Sequence, residues 1–163
     1  MKPLAMGIAP KMRLCFFTER FTMAAIWTKP ISIQLLTESH YNTACESLGM
    51  EFVEVGPDFI RGRMPVDKRT RQPYGVIHGG ASVVLAETLG SCGAFYSCPT
   101  DHRAVGLDIN ANHIRGVAEG WVNGITRPIH IGRSTQVWGI EMFDDQGRLS
   151  CVSRITMSVL GPR

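Results

Sequence analysis

Apolar and polar positions alternate over much of this chain, in two groups separated by one segment of different character. Residues 51–55, Glu-Phe-Val-Glu-Val, alternate as a half-buried strand does. Gly56, Pro57 and Asp58 read as a turn and residues 59–64 as a second strand, which predicts a hairpin. Strand-like runs recur at 104–114, 120–131, 135–143 and 149–160, with Asp144-Asp145-Gln146-Gly147 as the turn between the last two. Upstream, residues 31–48 are helical in pieces. Ile33, Leu36 and His40 share a face, Asn42 or Thr43 caps a second short turn of helix, and Gly49 stops it.

Between the two groups, residues 78–96 predict the main helix. It opens on Gly79-Gly80 and is small or apolar almost all round, as in a helix buried on most sides. Gly90 and Gly93 each cost roughly 1 kcal/mol against alanine in a helix. That cost makes sense if a sheet or another helix comes very close. The polar loop 66–74 precedes the helix and ends in Gln72-Pro73-Tyr74. Two strands, one long helix and four strands predict an α+β architecture, a single buried helix against an antiparallel sheet.

Composition narrows the picture. A chain of 163 residues predicts one domain, and 44% hydrophobic with 19% charged residues is ordinary for a soluble protein. No apolar run reaches the roughly 18 residues of a membrane span. The formal net charge of +3 sits wholly in the first twenty residues, where Lys2, Lys11, Arg13 and Arg20 face one acid, Glu19. The basic balance therefore belongs to a tail, and neither nucleic acid nor membrane is an expected partner. The same charges interrupt any signal-peptide core. Residues 1–25 are expected to be a leader, either a disordered arm or a gene-start artefact with Met23 as the natural start, and residues 26–163 the folded domain. Five cysteines, with no pair at zinc-knuckle spacing, read as free thiols packed as small hydrophobes in a reducing cytoplasm. The five histidines form no short-spaced pair, so no metal is expected. Phosphate-cradling loops and a nucleophile elbow are also missing from the sequence.

The candidate chemistry lies at the helix. Gly79 and Gly80 stand at its start, where N–H groups and the helix dipole favour negative charge. A carbonyl under attack gains negative charge on its oxygen, so donors fixed there act as an oxyanion hole. Glu87 is the lone acid in an otherwise uncharged helix, and a buried carboxylate is costly unless it has a partner or a task. It could serve as general base on water or attack an acyl carbonyl directly. Ser91 lies one turn further on the same face. Gly79 and Glu87 are eight residues apart, about 12 Å along a straight helix. One carbonyl cannot meet both in one chain, so a shared reaction predicts that they come from different subunits of a two-fold dimer.

Met64-Pro-Val-Asp67, Arg69-Thr70, Gln72-Pro73 and the run from His78 through Glu87 resemble the PaaI-like hot-dog-fold thioesterases. The similarity is greatest to the branch of 1,4-dihydroxy-2-naphthoyl-CoA hydrolases and enterobactin-pathway proofreading thioesterases. Val105-Gly-Leu, Asn110-Ala-Asn-His113, Pro128-Ile-His130, Gln136-Val-Trp138 and Phe143 through Arg148 extend the resemblance over about residues 26–160. It implies a hot-dog fold, an antiparallel sheet wrapped around one long central helix, in homodimers that pair into homotetramers. It implies hydrolysis of acyl-CoA with no cofactor, coenzyme A being part of the substrate, and a preference for aromatic or aryl-like acyl groups. By the same resemblance Glu87 is base or nucleophile, while Gly79, Gln72 and His78 polarise the carbonyl and Ser91 assists. Tyr74, Thr88 and Cys92 fall at acyl-contacting positions. Asn112, His113, Arg115, His130, Gly132, Arg133 and Ser134 fall where coenzyme A is held. Two rival readings are proofreading of acyl groups on a carrier protein and a non-catalytic acyl-CoA sensor. The leader is too short and unpatterned to supply the DNA-binding segment that a sensor needs.

Overall fold

The computed structural model describes residues 24–162. The leader 1–25 lies almost wholly outside them, as does Cys15. Ile26 and Trp27 are the first residues to pack on the core. Trp27 stacks on Trp138 with ring centroids 6.3 Å apart and donates through Nε1 to Gly56 O.

Helix α1 spans Ile33–Ser39 and α2 spans Ala44–Ser47. Ser32 and Thr43 cap them by accepting from Leu35 N and Cys45 N, the N-cap role for which short hydroxyl side chains are suited. Asn42 instead takes a positive φ of 56°, and Gly49 follows α2 at φ 70°. The shared face is smaller than the spacing predicts. Leu36 is fully buried and His40 packs on Phe52, but Ile33 remains exposed.

Strands β1 (Glu51–Val55) and β2 (Ile60–Pro65) form the predicted hairpin. The long helix α3 runs Gly79–Ser97, with His78 as its N-cap. Then come β3 (Arg103–His113), β4 (Trp121–Ile131), β5 (Thr135–Phe143) and β6 (Leu149–Leu160). The six strands form one antiparallel sheet in the order β1-β2-β4-β5-β6-β3. Because β3 crosses to the far side of β6, it forms one edge and β1 the other.

Burial alternates along β4, β5 and β6, so one face of the sheet packs inward. Val122, Trp138, Ile140, Met142, Ile155 and Met157 are buried there with Leu85, Ala86 and Leu89 of α3. A β-carbon at Gly93 would stand 2.7 Å from the Trp138 ring, so the helix lies on the sheet at a distance only glycine permits. The sheet wrapped around α3 is the hot-dog arrangement. Cys45, Cys92, Cys98 and Cys151 are buried free thiols, as small apolar residues would be.

Candidate active site

The start of α3 is built by the loop before it. Thr70 O accepts from His78 N, and Val117 O accepts from Ile77 N, fixing the chain as it enters the helix. His78 then caps, its Nδ1 accepting from Gly80 N at 2.8 Å. With Nδ1 accepting, Nε2 is the ring nitrogen that carries hydrogen and can donate. Gly80 N–H is thereby used, and among the described residues nothing accepts from Gly79 N–H. Of the two glycine donors expected at the helix start, Gly79 is the one left for a ligand.

A cleft of about 390 Å³ opens at this point. Gln72, Gly79, His113 and Arg115 line it with Ser82 and Ser150. His113 stands at the end of β3 with Nε2 2.9 Å from where a Gly79 β-carbon would be, so the imidazole covers the glycine. Gln72 is held by a tight turn: Val76 O accepts from Gln72 N, and Gln72 O accepts from Gly75 N. That turn places Tyr74 at its tip, 89% exposed and clear of the cleft of its own chain.

Glu87 lies two turns along α3, outside the cleft. Its side chain reaches toward β3, with Oε1 2.7 Å from the position of a Gly106 β-carbon. Ser91 Oγ donates to the same oxygen at 3.4 Å and stands 3.9 Å from Met157 Sδ. Partial burial raises the carboxyl above the usual glutamate range, and the bond from Ser91 pulls it partly back. A carboxylate of this kind is a base strengthened by desolvation, with a hydroxyl set to orient it.

The other expected residues are dispersed. Thr88 and Cys92 face α1 and α2: Thr88 Oγ1 is 3.3 Å from Cys45 Sγ, and Cys92 Sγ is 3.8 Å from His40 Nε2. Burial, with Cys45 beside it, pushes the Cys92 thiol up to about 12. Asn112 follows strand alternation to the outer face, where its amide donates to Asn110 Oδ1, while His113 points inward. His130, Gly132, Arg133 and Ser134 form the β4–β5 hairpin tip at the opposite end of the sheet from His113. Thr135 pairs with Ser158, which pairs with Val105, whereas His113 pairs with Cys151. Eight strand residues, roughly 26 Å, separate Val105 from His113. Gly106 was not singled out from the sequence as a site residue. The available signal was a glycine inside a strand.

A hot-dog sheet around one helix, with a lone carboxylate at the edge and backbone donors at the helix start, defines a class of acyl-transferring and acyl-cleaving proteins. The family profile described as the Thioesterase superfamily matches residues 74–151. The 1,4-dihydroxy-2-naphthoyl-CoA hydrolase of Escherichia coli is 44% identical over 135 residues, covering 83% of this chain and 99% of that protein. The proofreading thioesterase EntH of Cronobacter turicensis is 42% identical over 136 residues, with the same coverage of each. The crystal structure of a Haemophilus influenzae thioesterase superposes with a TM-score of 0.82 at 45% identity, covering 83% of this chain and 95% of that one. The chain belongs to the thioesterase superfamily and is a thioester hydrolase.

Proposed function

We propose that the protein hydrolyses acyl-coenzyme A with aromatic or aryl-like acyl groups, in a site shared by two copies of the chain. The observation behind this reading is the separation of two complementary parts on one helix. The Gly79 donor stands at its start, and the desolvated Glu87 carboxylate stands about 12 Å further on.

The sheet edge supplies the way to join them. Strand β3 is eleven residues long and has no partner on its outer side among the described residues. Val105 and Leu107 are 41% and 64% exposed on it. Such an edge is a template for another strand. A second copy pairing antiparallel along β3 about a two-fold axis brings the Gly106 end of one strand toward the His113 end of the other. Glu87 of each chain then approaches the Gly79 cleft of the other, and each β4–β5 hairpin approaches the cleft of the other chain. Arg115 in the cleft and Arg133 at the hairpin tip give cations for the phosphates of coenzyme A. Tyr74 at its exposed turn is positioned to reach across the interface. Pairing of such dimers into tetramers is part of the same reading.

The chemistry follows from these groups. Glu87 removes a proton from water, and the hydroxide adds to the thioester carbon. Gly79 N–H and the α3 dipole stabilise the oxyanion, assisted by Gln72 and His78. The C–S bond breaks as the carbonyl re-forms, and the thiolate takes a proton from Glu87. A direct attack by Glu87, giving an anhydride that water then cleaves, uses the same donors. The 44% identity to a hydrolase of an aromatic acyl-CoA supports the acyl preference.

A panel of benzoyl-, short-chain and long-chain acyl-CoAs and acyl-carrier proteins tests the substrate class by kcat/KM. Aromatic acyl-CoA is expected to lead, and a lead by carrier-bound acyl groups contradicts the reading. Glu87→Ala is expected to lower kcat about 10³-fold on the leading substrate with folding intact. Near-native turnover would exclude the mechanism.

A further inference from the structure

We infer that Gly106, with the bulge that follows it, is a positioning residue that fixes the Glu87 carboxylate at the sheet edge. The inference rests on the catalytic reading of Glu87 and adds to it a residue that acts through that carboxylate.

A β-carbon at position 106 would stand 2.7 Å from Glu87 Oε1 and 3.7 Å from its Cδ. Only a hydrogen at that place lets the carboxylate lie across the strand. Gly106 pairs with Met157, Met157 Sδ lies 3.9 Å from Ser91 Oγ, and Ser91 donates to Oε1. Ser91 of α3 and Gly106 of β3 therefore meet one carboxylate oxygen, and Met157 of β6 stands behind the Ser91 hydroxyl.

The bulge explains why a glycine meets the carboxylate at all. Gly106 pairs with Met157 and Asp108 with Thr156, leaving Leu107 as the extra residue. Beyond it, the inward set is odd-numbered: Ile109 and Ala111 pack on the core and His113 covers Gly79. Before it, the inward set is even-numbered, with Ala104 on the core and Gly106 under Glu87. An unbroken strand would keep the odd phase and turn Leu107 toward the carboxylate. The extra residue instead sends Leu107 outward, 64% exposed, and opens a notch in the strand. Bulges re-aim side chains in this way beside active sites. Gly106 is exposed in the single chain, so no buried packing within the protomer explains it.

The test is Gly106→Ala, with kcat, KM, the pH profile of kcat and Tm measured on the purified protein. The added methyl meets the far end of a flexible side chain, so the carboxylate moves and the fold stays. The expected result is native Tm, little change in KM and a kcat about 10²-fold lower, the scale of an ångström-size misplacement. The acid limb moves to lower pH, because burial is the larger influence on Glu87 and the displaced carboxylate is more hydrated. Glu87→Asp withdraws the carboxylate by one methylene, so it costs less in the Gly106→Ala background than in the native one. Native kcat and pH profile in Gly106→Ala, additive effects of the two changes, or loss of the fold each overturn the proposal. Glu87→Ala separates the two levels. If it stays active, the catalytic reading fails. If it is dead while Gly106→Ala is native, only the positioning role fails.

Discussion

Glu87 is the only charged residue of α3, and a single hydrogen bond, from Ser91, holds its carboxylate among the described residues. The role of base proposed for it requires ionisation. Because burial raises its pKa, hydrolysis is expected to fall with decreasing pH at a point above the ordinary glutamate range. Ser91 opposes that shift, so Ser91→Ala is expected to move the acid limb of the kcat profile to still higher pH. An unmoved limb, or one at lower pH, contradicts the assignment of that hydrogen bond. The lone acid was legible in the sequence because nothing else in the helix carries charge. The direction of neighbouring side chains was not. Thr88 and Cys92 lie within a turn of Ser91 in sequence, yet they turn toward α1 and α2 and meet Cys45 and His40. Asn112 and His113 are adjacent, but the period of a strand sends them to opposite faces.

At the scale of elements, α3 is packed so closely on β5 that its small residues are structural requirements. Gly93→Ala places a methyl against the buried, rigid Trp138 ring and is expected to lower stability by about 1–3 kcal/mol. Urea unfolding would show it as a lower midpoint at unchanged m-value, and an unchanged midpoint contradicts the packing account. Alternation predicted the bounds of β5 and β6 because each has one buried and one open face. It missed the bulge in β3, because an extra residue in an edge strand leaves no mark in composition beyond Gly106 itself. Strand order was equally hidden. Local pattern does not reveal that the chain crosses through α3 to put β3 on the far side of β6.

At the scale of the whole molecule, the proposed reading places two half-sites of one protomer at different points along its helix. The 12 Å between Gly79 and Glu87 was readable from sequence spacing alone. The open edge strand β3, on which the proposed pairing of two copies rests, became visible only with the topology. Leu107→Lys puts a charge on that exposed edge and is expected to shift the sedimenting species toward monomer with a parallel loss of kcat. A monomer of native activity contradicts the shared site. The most direct test is complementation between two inactive variants. Glu87→Ala removes the carboxylate. Gly79→Pro removes the backbone donor at the first helical position, where His78, at ψ 133°, already has the conformation that precedes proline, and the proline ring pushes aside the His113 imidazole that covers Gly79. Each variant alone is expected to be inactive. When the two are unfolded together and refolded at equal amounts, half of the dimers are mixed and each carries one intact site. About a quarter of native activity is expected to return. Mixed dimers that form and remain inactive would show that carboxylate and donor act within one chain.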